Sequence, residues 1–286
     1  MLRKEKYDVI LLQQEALPWI PGWFEKILLK SKIKLISDHD DAFFHRYDLH
    51  KFSIIRKLLG KKIDSVMSQA DIVFAGNEYI GERAKRNNEK VEIFPTVVNT
   101  DIYKKTISEK DGVFTIGWIG SPGTSKYLKN IENDLCEIYK TGNVRINFVG
   151  AGDIKMDGFD YNIIAWEEST EVLEISKFDV GIMPLPDSPW ERGKCGFKLI
   201  QCMACEVPVI ASPVGVNRNI IQNGENGFLA ESSEDWIKYF YTLKNDEKLR
   251  CDMGYKGRKL IEEKFSLDKN AALLIDIINN LVNNRN

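Results

Sequence analysis

The chain has 286 residues, of which 43% are hydrophobic and 29% are charged, a composition typical of globular proteins. At about 100–200 residues per domain, this length allows two domains. Its 40 basic and 42 acidic side chains give a formal net charge of −2, which provides no electrostatic basis for wrapping nucleic acid. The five cysteines are an odd number, which argues against a disulfide framework and favours a reducing, cytoplasmic compartment.

Short strand-like runs alternate with helical patterns in the first third of the chain. Helices are predicted for "WFEKILLKS" and "IGERAKRN", and the strands are predicted at 7–13, 33–38, 71–77 and 91–98. This alternation is typical of βαβ units and a parallel sheet. The first apolar run is too short for a signal peptide or a membrane span, so a membrane contact, if one exists, is expected to be peripheral.

The same alternation restarts after a polar linker at 99–112. The later strands are predicted at 113–120, 145–152, 162–166, 179–186 and 207–212, and from about residue 232 the pattern is wholly helical. We therefore predict an α/β protein with two Rossmann-like, doubly wound domains and a boundary near residue 105.

Ligands of such sheets bind at the carboxyl ends of the strands, so the loops there are candidate sites. In "GSPGTSKYLKN", Gly120, Ser121 and Thr124 offer N–H groups and hydroxyls to an anion, although Ser and Thr there also fit an ordinary helix cap. The loop "FVGAGD" at 148–153 is either part of a nucleotide-binding turn or an ordinary tight turn.

A second candidate loop, "RGKCGFKLIQCMAC", leads into an apolar helix. Lys194 and Lys198 are four residues apart, so on a helical turn they would project to the same side and could bind a phosphate, or they could be two solvated lysines. Cys202 and Cys205 fall within the apolar pattern, which favours core packing over a redox or zinc role.

The stretch "SDHDDAFFH" follows a predicted strand and concentrates carboxylates and histidines. Three interpretations are open: a metal site, a carboxylate that faces substrate hydroxyls, or a solvated turn. The spacing matches no strong metal motif, so we expect no metal. A substrate-facing carboxylate at Asp40 or Asp41 is the favoured interpretation.

The motifs "GWIGSPGT", "FVGAG", "DVGIMPLP" and "GKCGFKLIQCMACEVPVIASPVGVNRNIIQNGENGFLA" occur in this order. From them the chain resembles the donor domain of family 4 retaining glycosyltransferases, which have the GT-B fold. "YDVILLQ", "KLISDHDDAFF", "ADIVFAGNEYI" and "VEIFPTVVNTDIY" are similar to the later part of the same family's acceptor domain. The resemblance implies an acceptor-side domain at 1–105, a donor domain at 106–265 and a final helix at 266–286 that packs back toward the first domain.

The resemblance also implies roles for individual residues. A nucleotide-sugar would be the donor substrate, with no metal cofactor, and a carbohydrate or lipid-linked molecule would be the acceptor. Asp40 or Asp41 would be the catalytic residue that holds the acceptor hydroxyl. The donor would be bound by residues of both loops, with the lysines on the diphosphate and Gln201 on the ribose: Gly120, Ser121, Thr124, Lys194, Gly196, Phe197, Lys198 and Gln201.

The chain departs from the family pattern at two points. Where the family usually carries two glutamates separated by seven residues, this chain has Gly193 and Gln201, unless Glu191 or Asp187 replaces the first of them. The family's opening strand and glycine-rich loop are not found, which predicts a shortened first domain. A partner chain or a second copy would then cover that domain.

The predicted function is sugar transfer with retention in surface polysaccharide or glycoconjugate synthesis. The predicted location is the cytoplasm, with peripheral contact at the inner membrane face left open. Two alternatives are kept. One is a non-catalytic subunit that binds a sugar nucleotide or a partner, which the missing glutamate favours. The other is a nucleotide-sugar epimerase of the same fold, although no acid and base pair for it is evident.

Overall fold

The computed structural model describes residues 7–29, 33–106 and 111–283. Its strands are β1 Val9–Gln13, β2 Lys34–His39, β3 Ile72–Ala75, β4 Val91–Ile93, β5 Phe114–Ile119, β6 Val144–Val149, β7 Asn162–Ile164, β8 Val180–Met183, β9 Val209–Ala211 and β10 Gly227–Leu229. Its helices are α1 Gly22–Leu29, α2 His45–Asp48, α3 Ser53–Leu59, α4 Lys62–Met67, α5 Glu78–Lys85, α6 Pro122–Ser125, α7 Glu132–Lys140, α8 Glu171–Ser176, α9 Pro189–Arg192, α10 Phe197–Ala204, α11 Asn217–Ile220, α12 Ser233–Asn245, α13 Glu247–Lys264 and α14 Leu267–Asn283. A 3₁₀ helix, Lys126–Ile131, connects α6 to α7.

The strands form two parallel sheets, which confirms the predicted α/β class. The first sheet has the order β1-β2-β3-β4, and the second has the order β10-β9-β8-β5-β6-β7. Four of the inner strands, β3, β5, β8 and β9, are buried at every position, as expected when helices cover both faces of a parallel sheet.

The chain divides into two compact units. The described residues of the first unit fall within 1–96, 187–195 and 270–286, and those of the second fall within 97–186 and 196–269. The segment 187–195 therefore belongs with the first unit, whereas the sequence interpretation assigned it to the donor domain. Part of the predicted linker, 107–110, lies outside the described residues.

Two apolar layers hold the first sheet. One face packs on α4 and α5 through a core that includes Ile63, Met67, Val73 and Ile80. The other face is lined by Ile36, Ile72 and Phe74, and α14 packs there through Leu274, Ile277, Ile278 and Leu281. The helix therefore belongs to the first unit over most of its length because its apolar stripe completes the core there.

The second sheet lies between two larger cores. The helix α10 buries Leu199, Ile200 and Met203 on one side, while α7 and α12 pack on the other side through side chains such as Leu135 and Phe240. Among the described residues, no helix combines the length and the apolar character needed to cross a bilayer.

Candidate functional site

The carboxyl end of β2 in the first unit carries a chain of hydrogen-bonded polar groups. Because Gln13 pairs with Asp38 in the sheet, the chain leaving β1 comes next to the end of β2. His39 forms two hydrogen bonds with its neighbours. Ser37 Oγ lies 2.8 Å from His39 Nε2, and Gln14 Oε1 lies 3.1 Å from His39 Nδ1. The Gln14 amide in turn donates to Asp40 Oδ1 at 2.5 Å. Asp40 is exposed, and the hydrogen bond from Gln14 fixes the position of its carboxylate.

Burial shifts the pKa values of two groups at this strand end in opposite directions. It lowers the pKa of His39 from 6.5 to about 4, so this imidazole is neutral at pH 7. Burial, followed by the negative charge of Asp40, raises the pKa of Asp38 from 3.8 to about 6. A neutral buried histidine suits a positioning role, because it accepts and donates hydrogen bonds without adding charge.

Asp41 forms an ion pair with Lys194, whose Nζ is 3.2 Å from both carboxylate oxygens. The segment that carries Lys194 is anchored on the first unit by Asn77, whose buried amide donates to the carbonyls of Gly193 at 2.9 Å and Lys194 at 3.1 Å. The first unit therefore fixes the position of Lys194 and supplies an acidic partner for its charge.

Gly193 stands where the resembling family usually has a glutamate, and the structure gives a steric reason for glycine. A Cβ atom at this position would lie 2.2 Å from Ala42 Cβ and 2.8 Å from the Ala42 backbone nitrogen. No larger residue fits unless the backbone shifts. The family's glutamate is therefore incompatible with this packing.

The two carboxylates considered as replacements for that glutamate, Asp187 and Glu191, both bind neighbouring side chains. Asp187 accepts two hydrogen bonds from Arg192, at 2.6 and 3.1 Å. Glu191 is buried and accepts a hydrogen bond from Ser188. Both carboxylates therefore accept hydrogen bonds from side chains of the short helix α9 or of the residues that flank it.

In the second unit, the loop after β5 brings three of the predicted donor-binding residues together. Ser121 and Thr124 form a capping box at the start of α6, so the helix-cap interpretation of these residues is correct as far as local structure goes. Gly120 lies against Lys198, because a Cβ atom there would be 2.6 Å from Lys198 Cε. Lys198 Nζ lies 3.3 Å from Thr124 Oγ1 and 4.9 Å from the centre of the Trp118 ring.

Lys198 lies in the first turn of α10, which begins at Phe197 after Gly196. Gly196 has a φ of +70°, a left-handed conformation that favours glycine, and a Cβ atom there would lie 2.6 Å from Ile220 Cδ1. The positive end of the helix dipole therefore lies beside a lysine. Phe197 is partly exposed at the same helix start.

The prediction that Lys194 and Lys198 share a helical turn is wrong. Lys194 lies between α9 and α10, outside either helix, because Gly196 breaks the helical conformation in front of Phe197. The two side chains consequently have different partners, Asp41 for Lys194 and Thr124 for Lys198. Their proposed roles in phosphate binding stay predictions.

Gln201 is buried in a hydrogen-bonded cluster that the sequence did not reveal. Its Nε2 donates to Glu171 Oε1 at 2.7 Å and to the Tyr103 hydroxyl at 3.3 Å. Tyr103 donates in turn to Glu171 Oε2 at 2.5 Å, and Trp166 Nε1 donates to Glu171 Oε1 at 3.0 Å. Burial, followed by the hydrogen bond to Glu171, raises the pKa of Tyr103 to about 12, so the phenol stays a donor.

This cluster fixes the orientation of the Gln201 amide. A carboxylate accepts only, so the amide must turn its NH₂ group toward Glu171, and its oxygen is left for another donor. Glu171 begins the separate helix α8, and no spacing in the sequence indicated that it contacts Gln201. Its acidic side chain was the only sequence feature that marked it as a polar partner.

Two further predictions concern cysteines and metals. Cys202 and Cys205 are buried, and burial raises the pKa of both thiols, that of Cys205 to about 12, as expected for core packing. Across 7–29, 33–106 and 111–283, no cluster of three or more His, Cys, Asp or Glu side chains could hold a metal ion. The histidine and carboxylates at 38–41 form the hydrogen bonds and ion pair described above instead.

Two Rossmann-like units with these strand ends define the GT-B class of glycosyltransferase fold. Residues 179–260 match the family described as Glycosyl transferases group 1, which confirms the resemblance for this part of the chain. This matched segment contains Lys194, Lys198 and Gln201.

Three known proteins illustrate the similarity. Over 193 residues the chain is 26% identical to the capsular polysaccharide biosynthesis glycosyltransferase CapM of Staphylococcus aureus, which covers 65% of this chain and 48% of CapM. The chain thus spans about half the length of this curated relative. Sucrose-phosphate synthase from Thermosynechococcus elongatus has a TM-score of 0.76 at 16% identity, over 97% of this chain and 75% of its own. HepE of Anabaena, solved in complex with UDP, has a TM-score of 0.75 at 14% identity, over 97% of this chain and 80% of its own.

Proposed function

We propose that the protein transfers a hexose-like sugar, with retention, from a nucleoside diphosphate donor to a carbohydrate or lipid-linked acceptor. The single observation that carries the proposal is the arrangement at the start of α10, where the Lys198 ammonium group lies beside the Thr124 hydroxyl at the N-terminal end of the helix. The relative named for capsular polysaccharide biosynthesis supports surface polysaccharide synthesis as the setting. The neighbour solved with UDP supports a nucleotide donor.

Departure of the diphosphate is the costly step in this reaction, because negative charge grows on the leaving oxygen. The positive end of the α10 dipole and the ammonium group of Lys198 would stabilise that charge without rearranging in the transition state. Gly120 lets the stem of Lys198 approach the loop after β5, so the cation is held near the hydroxyl of Thr124. No metal is required for this stabilisation.

Ribose recognition is proposed for Gln201. The family's glutamate would accept hydrogen bonds from ribose hydroxyls, and an amide offers the same only through its oxygen. Glu171 binds the NH₂ group of Gln201 and so leaves the oxygen as the accepting atom. The glutamine therefore keeps the accepting function of the glutamate, with less charge assistance.

The acceptor hydroxyl is proposed to bind at the end of β2. Asp40 is the better candidate of the two aspartates, because it is exposed and is held by Gln14, whereas Asp41 is engaged by Lys194. The departing phosphate itself can take the hydroxyl proton as the new glycosidic bond forms on the same face of the sugar, so a strong protein base is not needed.

A second candidate function is a non-catalytic subunit that binds the sugar nucleotide. The packing of Gly193 on Ala42 favours it, since this packing excludes the family's sugar-contacting glutamate. The two candidates predict different behaviour toward the donor.

Incubation of the purified protein with UDP-glucose and other sugar nucleotides separates these candidates. Release of nucleoside diphosphate together with free or transferred sugar supports the transferase, and retention of configuration can be read from the anomer by NMR. Binding without turnover supports the subunit, and interconversion of the sugar nucleotide supports an epimerase. Neither binding nor turnover with any sugar nucleotide would refute the proposed donor site.

A further inference from the structure

An exposed surface of the first unit combines apolar and basic side chains. It includes the loop after β1 and the segment from the end of α2 to the start of α4. We call it the basic apolar patch, and it consists of Trp19, Ile20, Leu49, Lys51, Phe52, Ile54, Arg56, Lys57, Leu58 and Lys61.

The helix α3 at the centre of this patch is attached to the unit by few of its side chains. Leu59 is its buried residue. Phe52, Ile54 and Leu58 are 56%, 66% and 65% exposed. Single exposed apolar side chains are normal on a soluble protein, but several on one short segment mark an interaction surface.

Ring contacts make the patch continuous with the loop after β1. The ring of His50 is 5.5 Å from that of Phe52 and 5.8 Å from that of Trp19, and Trp19 packs edge-on against Tyr47 at 5.3 Å. Trp19 is itself 45% exposed. Two separate segments of the chain therefore contribute aromatic rings to one surface.

The charge of the patch is of one sign. From residue 49 to 63 the sequence contains no acidic residue, while Lys51, Arg56, Lys57 and Lys61 are exposed there. Lys62, which follows, is buried in an ion pair with Glu15 at 2.8 Å and does not contribute to the surface charge.

The acidic residues that flank this segment are already engaged. Asp48 is 2.8 Å from His45 and 3.2 Å from Arg83, and Asp64 is 2.6 Å from the same arginine. They therefore do little to neutralise the lysines and the arginine of the patch.

We propose that the basic apolar patch docks on the surface of an anionic lipid bilayer. Aromatic and aliphatic side chains would enter the headgroup region, and the lysines and arginine would contact the anionic headgroups, a combination that interfacial segments use. An anionic lipid surface accepts both kinds of side chain, because its headgroups pair with the lysines and the arginine while its apolar region takes the exposed aromatic and aliphatic side chains. The proposal does not depend on the donor site.

The test is flotation of the full chain with vesicles of phosphatidylcholine alone and with vesicles that also contain phosphatidylglycerol. We expect binding to the anionic vesicles only, weakened by added salt. The double variant Lys57→Ala with Lys61→Ala should lower the partition coefficient about 25-fold, since each lysine near such a surface contributes about a fivefold factor. Ile54→Ser with Leu58→Ser should lower it about tenfold or more through lost apolar burial.

Matched controls lie on the second unit, where Lys238 and Lys248 are exposed on α12 and α13 and Tyr255 is an exposed aromatic residue of α13. Lys238→Ala with Lys248→Ala, and Tyr255→Ser, should leave vesicle binding unchanged. Equal binding to both kinds of vesicle, no binding to either, or equal losses in patch and control variants would overturn the proposal. Self-association in sedimentation experiments that the patch variants abolish, without vesicle binding, would assign the patch to a second copy instead.

Discussion

The two units carry polar strand ends of different character. In the first unit, the acidic and histidine side chains at the end of β2 are tied to partners of the same unit, such as Gln14 for Asp40 and Lys194 for Asp41. In the second unit, small residues and one lysine surround the N-terminal end of α10. The first arrangement suits positioning of a neutral hydroxyl, and the second suits an anion, as the proposed sugar transfer would require.

The largest expected effect concerns the pH dependence of the first unit. In the folded protein the pKa of His39 is about 4, below its ordinary value of 6.5. The unfolded chain therefore binds a proton here more readily, and stability is lost as the pH falls from 6.5 to about 4. Asp38, with its pKa raised to about 6, acts in the opposite direction, because its folded form takes up a proton over much of the same range. In Asp38→Asn the loss is no longer offset, and the free energy of unfolding should fall by about 3 kcal/mol from pH 6.5 to 4.

The measurement is urea unfolding at several pH values, followed by hydrogen exchange of peptides from 33–75. Asp38→Asn combined with His39→Gln is the control, and it should remove the added slope. A single Asp38→Asn variant whose pH dependence matches that of the native chain would contradict the assignment.

The next effect tests why glycine occupies position 193. Gly193→Ala should destabilise the first unit by about 2 kcal/mol, because the new methyl group collides with Ala42 and the backbone must shift. Gly123→Ala in the second unit is the matched control, since a Cβ atom there meets nothing within 4 Å. Thermal unfolding of both variants measures the difference, and equal melting temperatures would mean that the segment carrying Gly193 adjusts freely.

The two lysines provide the most direct comparison of the units. Lys198→Met keeps the aliphatic stem beside Gly120 but removes the charge, so UDP binding should weaken by about 2 kcal/mol, roughly 30-fold. Lys194→Met should have a smaller effect, because Asp41 already compensates this charge. Titration calorimetry with UDP, with uridine as the control ligand, measures both. The phosphate role of Lys198 fails if its variant binds UDP as the native chain does.

The smallest effect concerns the orientation of Gln201. Glu171→Gln removes the obligate acceptor that holds the amide, so UDP binding should weaken by about 1 kcal/mol, roughly fivefold. A UDP analogue without ribose hydroxyls should show no such loss, because the Gln201 oxygen has nothing to accept from it. An equal loss for both ligands would point to general disruption of the cluster around Tyr103.

Much of the fold followed from local pattern. The predicted strands at 33–38, 71–77, 113–120 and 179–186 all overlap strands of the structure, because largely buried parallel strands leave continuous apolar runs. The sequence also predicted the glycine and hydroxyl residues of the loop after β5 and the core position of Cys202, because capping and burial depend on near neighbours. The end of α1 was predicted beyond residue 29, into residues outside the described range.

What the sequence determined by itself is the α/β class, the two sheets and the set of polar residues that follow their strands. The tertiary structure decided how those residues are combined. Lys194 and Lys198 are four residues apart, yet a segment of the second unit begins at Gly196, so the two lysines belong to different units. Glu171 and Gln201 are thirty residues apart, yet they share a hydrogen bond. Such pairings depend on packing between distant segments, and periodicity and spacing along the chain carry no information about it.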